Sequence, residues 1–194
     1  MKKNIKQFQI YATALKLFAK YGFKRTRVED IANELNMTKG NIYLYTKDKK
    51  SLYQETVAYA LQNWQELVKN EIQKAEDVVE RFKIMSLKAY EYLSQMPYLC
   101  KILIDDPSIF PLSPKEDHFI EINKISINII KSILSQGIKE NRFRNVNVDV
   151  VAEVLFSVYI MFIIKTYIKP ESGANMDMFK IGLDLILEGL IAKK

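Results

Sequence analysis

The chain has one cysteine, Cys100, and one histidine, His118, in 194 residues. A single thiol closes no disulfide within one chain and builds no thiolate metal site, and one imidazole anchors no histidine-based metal centre. Glycine (6) and proline (5) are scarce, while isoleucine and leucine are abundant. Folds made of short strands and tight turns need more of both punctuating residues, so the composition favours helices. No apolar run reaches the length of a bilayer: the most apolar stretch, Val150–Ile164, contains Glu153 and Ser157 and stops at Lys165. Met1–Tyr21 carries Lys16 and Lys20 where a secretory leader has an apolar run, so a cytoplasmic protein is expected. Also missing are a glycine-rich phosphate loop, a metal-ligand spacing, and any Ser/His/Asp or Cys/His arrangement. The acid pair Asp105-Asp106 adjoins Pro107 and reads as a turn. An enzyme is therefore not expected, nor a metal or a cofactor.

What is present is an uneven distribution of charge. The net charge is +6. Residues 1–53 hold 12 Lys and Arg against 4 Asp and Glu, while the remainder holds 17 against 19. The whole basic excess sits in the first quarter of the chain. A basic head on a slightly acidic body points to a polyanion as partner of the head alone.

Helical punctuation divides the chain into nine elements. The first helix is expected over about Ile5–Tyr21, with Ile5, Phe8, Ala12, Leu15 and Ala19 on one apolar face and Gly22 as its stop. Thr26-Arg27-Val28-Glu29 reads as a capping box for a short helix ending near Leu35. Asn36 suits a positive-φ turn, and Thr38 caps a third helix through about Tyr45. Asp48 caps a fourth, about Lys49–Lys74, with Leu52, Val57, Leu61, Trp64, Val68 and Ile72 inward. Asp77 with Glu80 starts a fifth that Met96-Pro97 ends, and 98–112 holds a short helix and a proline loop. Ser113-Pro114-Lys115-Glu116 is a strong helix start, and a long helix then runs to about Glu140, with Asn141 as a left-handed stop. The eighth helix spans about Val148–Ile168, a loop Lys169–Asn175, and the ninth Met176–Ala192.

The second and third helices carry the offsets of a helix-turn-helix. Such a unit needs a small residue where its helices touch, a turn residue tolerant of positive φ, and apolar residues that pin the second helix with its other face outward. From Val28 the sequence supplies Ile31, small Ala32, Leu35, Asn36, Met37, Ile42 and Tyr45. Lys39, Gly40, Asn41, Tyr43 and Leu44 are then outward. Lys39, Asn41 and Leu44 are candidates for base edges: lysine donates to guanine, asparagine pairs with adenine, and leucine meets a thymine methyl. Gly40 lets the backbone come close, and Arg25 and Arg27 are placed to reach phosphate or an adjacent groove.

The run Ile10-x-Ala12-x-Ala14-x-x-Leu17-Phe18-x-x-x-Gly22-Phe23-x-x-Thr26-x-Val28-x-x-Ile31-Ala32 resembles the N-terminal signature of the tetracycline-repressor (TetR) family of transcriptional regulators. The resemblance continues through Met37-Thr38-Lys39-Gly40-Asn41-Ile42-Tyr43-x-Tyr45-x-x-Lys49-x-x-Leu52 and covers about residues 8–53. Two positions depart from the pattern: Asn36 stands where the family usually has Gly, and Thr46 where it usually has Phe. Thr46 gives up an apolar contact between head and body. The resemblance implies an all-α, nine-helix fold: a helix-turn-helix DNA-binding head over residues 1–47 and a helical ligand-binding and dimerisation body over 48–194. It also implies phosphate contacts from Tyr43, Lys49, and Thr26 with its neighbours.

In the body, the eighth helix is apolar nearly all round, from Val150 to Ile163. A helix of that kind is buried on two sides, one of them most simply a partner helix across a two-fold axis. By the resemblance, the last two helices form a four-helix bundle with a second copy, through Val154, Val158, Met161, Phe179, Leu183, Ile186, Leu187 and Leu190. A dimer with two recognition helices expects a palindromic operator on double-stranded DNA. The resemblance further implies a pocket for a small-molecule inducer within helices five to eight. Phe82, Met85, Tyr90, Tyr92, Tyr98, Phe119, Tyr159 and Phe162 are candidates to line it, and they suit an apolar or aromatic ligand. The function so read is a sequence-specific regulator, by default a repressor, released from its operator by that ligand. The alternative is a ligand-independent or architectural DNA-binding protein.

Overall fold

The structure, a computed structural model, describes residues 2–110, 119–168 and 176–192. Among these the chain forms α1 (Lys2–Arg25), α2 (Val28–Glu34), α3 (Lys39–Tyr43), α4 (Lys49–Ile72), α5 (Val78–Ser94), α6 (Pro97–Asp105), α7 (Ile120–Lys139), α8 (Val148–Ile163) and α9 (Met176–Leu190). A wider π-type turn, Ile164–Ile168, extends α8. No described strand is longer than the single bridge between Phe143 and Ile191. The fold is all-α. The Ser113–Glu116 start signal, His118 and the 169–175 loop lie outside the described residues.

Local chemistry accounts for most of the boundaries. Thr38, Asp48, Asp77 and Asn147 cap α3, α4, α5 and α8 by accepting backbone N–H groups with their side-chain oxygens. The turns after α2 and α7 place Asn36 at φ 52° and Asn141 at φ 56°, and α1 breaks at Gly22, φ 77°. Pro97 closes α5 and also opens α6, as the first residue of its first turn.

Two expectations are corrected. The Thr26–Glu29 capping box does not form. Arg27 is the N-cap of α2, and the Asp30 carboxylate accepts its N–H at 3.0 Å. The buried face of α1 is Ile10, Tyr11, Ala14, Leu17, Phe18 and Ala19; of the face read from periodicity, Ala19 is buried and Leu15 is packed against the core. Ile5 and Phe8, nearer the start of α1, are about half exposed, with Phe8 stacked on Tyr59 of α4.

One continuous core links head and body. It runs from Ile10 and Phe18 through Leu52, Val57 and Trp64 of α4 to Leu134, Ile163 and Leu187. α4 lies along both α1 and α5, α1 also rests on α6, and α7 lies against α8 and α5. The head is thus seated on the body by α1 as well as by the chain that joins them.

The α7–α8 connection shows how tight the body is. After Asn141 the chain turns back, and the N–H groups of Arg142 and Phe143 both donate to the Gly137 carbonyl. This drops the Phe143 ring onto Gly137, where it is 2% exposed and meets Phe82 edge-on. A Cβ at 137 would sit 2.1 Å from the ring. Gly137→Ala is expected to lower stability even though alanine favours a helix by about 1 kcal/mol. Overpacking costs about 1–3 kcal/mol, so the midpoint should fall by a few °C in a thermal melt. An unchanged or raised midpoint would show that the Phe143 ring is free to move away.

Candidate nucleic-acid interface and inner cavity

α3 is held by one face and offers the other. Ile42 is fully buried, with Met37 and Tyr45 partly buried beside it, and Ile31 and Ala32 of α2 form the seat. The Met37 N–H donates to the Ala32 carbonyl at 2.8 Å and fixes the turn at Asn36. Thr38 Oγ1 accepts the Asn41 N–H at 3.3 Å and donates to Asn41 Oδ1 at 2.5 Å, so cap and side-chain amide orient each other. Thr38, Lys39, Gly40, Asn41, Tyr43 and Leu44 all face solvent. Leu44, an apolar side chain, is 73% exposed, which costs solvation unless something covers it.

Beside this face lies an open polar groove that gathers the basic residues of three elements. Lys24, Arg25, Arg27, Lys39 and Lys49 line it together with Tyr43, and Glu29 is its one acid. Lys39 Nζ pairs with Glu29 at 2.6 Å and lies 5.8 Å from the centre of the Tyr43 ring. That hydrogen bond raises the Lys39 ammonium above its ordinary range and lowers the Glu29 carboxyl. Lys49 Nζ donates to the Lys24 carbonyl at 3.2 Å and lies 4.7 Å over the Phe23 ring. Lys24 was not singled out from the sequence; only its neighbour Arg25 marked that end of α1.

Thr26 borders this groove, but its hydroxyl is turned inward. Its side chain is 1% exposed, and Oγ1 donates to the carbonyls of Gly22 at 2.8 Å and Leu17 at 3.2 Å. It ties down the broken end of α1, and its hydroxyl cannot reach a phosphate.

Inside the body a cavity of about 120 Å³ lies between α4, α5, α7, α8 and α9. Of the residues named from the sequence, Phe82, Met85, Tyr159 and Phe162 line it. Tyr90, Tyr92, Tyr98 and Phe119 do not. Tyr90 is buried behind the wall, stacked on Phe179 with its hydroxyl donating to Thr166 Oγ1 at 2.8 Å. Tyr92 turns to Glu71, Tyr98 is 46% exposed on α6, and Phe119 is buried at the start of α7. The wall also takes Leu61, Trp64 and Val68 from α4, expected to face inward as core, and Gln65, which the sequence did not single out. Gln65 Nε2 bridges to α7, donating to the Ile122 carbonyl and to Ser126 Oγ, both at 2.7 Å.

The expected dimer residues divide. Val154 and Met161 of α8 are about half exposed, with Val150 beside them. Val158, Phe179, Leu183 and Ile186 line the cavity of their own chain, and Leu187 and Leu190 are buried in its core. The outward stripe of α9 is Met178, Ile181 and Leu185, exposed by 39%, 63% and 66%. The spacing of three and four that joins these residues was present in the sequence, on the opposite side of the helix from the stripe chosen. Among the described residues no helix is long and apolar enough to cross a membrane.

Comparison with known proteins places this geometry. Residues 10–56 match the family model described as bacterial regulatory proteins, tetR family. The uncharacterized HTH-type transcriptional regulator YhgD of Bacillus subtilis (strain 168) is 23% identical, over 79% of this chain and 80% of that protein. The HTH-type transcriptional repressor KstR2 of Rhodococcus jostii (strain RHA1) is 21% identical, over 97% of this chain and 92% of that one. The transcriptional regulator FadR from Bacillus subtilis, solved in complex with stearoyl-CoA, shares the fold with a TM-score of 0.74 at 19% identity, over 94% of this chain and 98% of that one. Signature, helix-turn-helix geometry and fold agree: the head matches the tetR family of bacterial regulatory proteins over residues 10–56, and the chain shares the fold of the solved regulator.

Proposed function

We propose that the chain acts as a homodimeric, sequence-specific repressor that a small apolar or aromatic ligand releases from a palindromic operator. The observation that carries this reading is the exposed face of α3, Thr38 to Leu44, beside a groove with five cations and one acid. Lys24, Arg25, Arg27, Tyr43 and Lys49 suit phosphates, which position the protein without reading sequence. Lys39, Asn41 and Leu44 suit base edges. Lys39 would exchange Glu29 for a base or phosphate oxygen, an exchange made easy because the pair is open to water. The head is taken as residues 1–47 and the body as 48–194. Two half-exposed apolar stripes, Val150, Val154 and Met161 on α8 and Met178, Ile181 and Leu185 on α9, suit a two-fold bundle with a second copy. KstR2 bears the name of a repressor, and FadR was solved with an acyl thioester; both favour repression and an apolar ligand here. The likeness to transcriptional regulators supports a cytoplasmic setting and a role without catalysis.

The direct test is selection of bound duplexes from a random pool. An inverted repeat is expected, and Asn41→Ala should shift the preferred bases within each half-site. Retention of random DNA alone, with no enriched motif, would favour an architectural protein. Gly40 offers an independent check. A Cβ there would meet only Thr38 Oγ1, at 3.8 Å, so the protein itself gains nothing from glycine in this helix. Gly40→Ala should stabilise the chain by about 0.5–1 kcal/mol while weakening operator binding at least ~10-fold. Full operator affinity in this variant would place the α3 backbone away from DNA. For the dimer, Leu185→Arg should convert the protein to monomers in analytical ultracentrifugation and reduce operator affinity ~100-fold or more. A dimer that survives this change would rule out the α9 stripe as the interface.

A further inference from the structure

Two buried side-chain oxygens among the described residues have no hydrogen-bond partner, Thr56 Oγ1 and the Tyr159 hydroxyl. Tyr159, unlike Thr56, is part of the cavity wall. Its ring faces Trp64 at 6.3 Å and Phe179 at 6.4 Å between centres. A buried phenol that no protein group pairs is a cost the fold does not recover internally, and buried groups of this kind call for a partner. The hydroxyls around it are already committed. Tyr90 donates to Thr166, and Tyr167 donates to the Tyr90 carbonyl at 3.1 Å, where the π-type turn follows α8. Wide turns of that kind recur at functional sites.

The rest of the wall limits what could satisfy this phenol. The described lining residues include no charged side chain; their polar groups are Gln65, Ser86, Asn123, Ser126 and Tyr159. Ser86 is spent on the Phe82 carbonyl at 3.0 Å, and Gln65 on α7. An anion entering among these described residues would lose its hydration with none of their side chains carrying a charge to replace it.

We infer that Tyr159 is the polar anchor of the cavity, donating its hydroxyl proton to a neutral, lipophilic ligand that carries a carbonyl or comparable acceptor at one end. The inference rests on the proposed ligand-gated function and specifies the ligand class for its cavity. Burial, with the Tyr167 and Tyr90 phenols nearby, raises the Tyr159 hydroxyl well above its ordinary range, so it stays protonated and remains a donor. A ligand reaching that end exchanges an unpaired phenol for a bonded one. Its apolar body fills the space lined by Trp64, Phe82, Met85 and Phe162.

The test uses the chain's one tryptophan, Trp64, which lies in the wall and reports binding by its fluorescence without DNA. The probes are butylbenzene, benzylacetone (the ketone of similar size) and 4-phenylbutyrate, titrated into the full chain and into Tyr159→Phe. The expected result is that Tyr159→Phe weakens benzylacetone about three- to tenfold, the worth of one hydrogen bond, and leaves butylbenzene unchanged. The variant should melt at or above the temperature of the parent, since no internal bond is lost. Equal effects on both neutral probes, a tighter fit for phenylbutyrate than for the ketone, or a lower melting temperature in Tyr159→Phe would each overturn the inference. If butylbenzene binds and the ketone is indifferent to residue 159, the cavity reading survives and the anchor does not. If no probe changes Trp64 fluorescence, both fall.

Discussion

A five-residue helix has no stability of its own. Isolated helices below about 12–15 residues are marginal in water, so α3 exists only because its neighbours hold it. The hold is narrow. Ile42 alone on α3 is fully buried, and burying a side chain of that size stabilises by about 1.5–3 kcal/mol. Thr38 supplies the cap, and the positive φ of Asn36 aims the chain so that the apolar side meets α2. The direction of every outward residue follows from that seat. The Lys39–Glu29 pair does not carry it: both groups are in water, and the pair is screened and easily exchanged. Shape comes from a buried apolar contact, while the polar groups above it remain available to another polyanion.

The same logic extends from head to body. Lys49, in the first turn of α4, straps back to the end of α1 through the Lys24 carbonyl and the Phe23 ring. Phe18, Phe23 and Tyr53 form an aromatic cluster with centres 5.1–6.1 Å apart. Tyr53 then donates to Asp106 at 2.9 Å, where α6 ends, and Tyr11 donates to Glu55 at 3.2 Å. Thr46, expected to give up an apolar contact between head and body, is 6% exposed, so the smaller residue is still enclosed. The head, the first turns of α4 and the end of α6 are thereby one unit. A body that changes the angle of α4 carries the recognition face with it.

What was legible in the sequence was what local chemistry decides. Caps and turn residues act over three or four positions, so Thr38, Asp48, Asp77, Asn36 and Asn141 could be read without a fold. The helix-turn-helix offsets held for the same reason, since α2 and α3 touch across a single turn. The errors lie where two apolar stripes compete. α9 carries a second stripe, and periodicity gives the helix without saying which stripe meets its own core. Phe179, Leu183 and Leu187 were therefore assigned outward, although Met178, Ile181 and Leu185 hold that side. Thr26 was misread because its acceptors, the Leu17 and Gly22 carbonyls, are brought to it by the break in α1 and not by a motif. Tyr98 and Tyr90 show that aromatic type alone does not say whether a ring faces a cavity, the core or water.

The cavity and the recognition face meet in α4. Its Leu61, Trp64, Gln65 and Val68 form part of the cavity wall, and its first turn holds the head. Sixteen residues separate Lys49 from Gln65, about 24 Å along a helix at 1.5 Å per residue. A ligand changes DNA affinity only by binding one head spacing better than the other, and tenfold corresponds to about 1.4 kcal/mol. In the ligand-gated function proposed above, that step would break the two Gln65 bonds to α7. Neutral hydrogen bonds are worth about 0.5–1.5 kcal/mol each, so separating α4 from α7 costs about what a tenfold to hundredfold release requires. A ligand that fills the apolar wall and repays a phenol can supply that much. One with equal contacts in both arrangements would occupy the cavity and leave the operator bound.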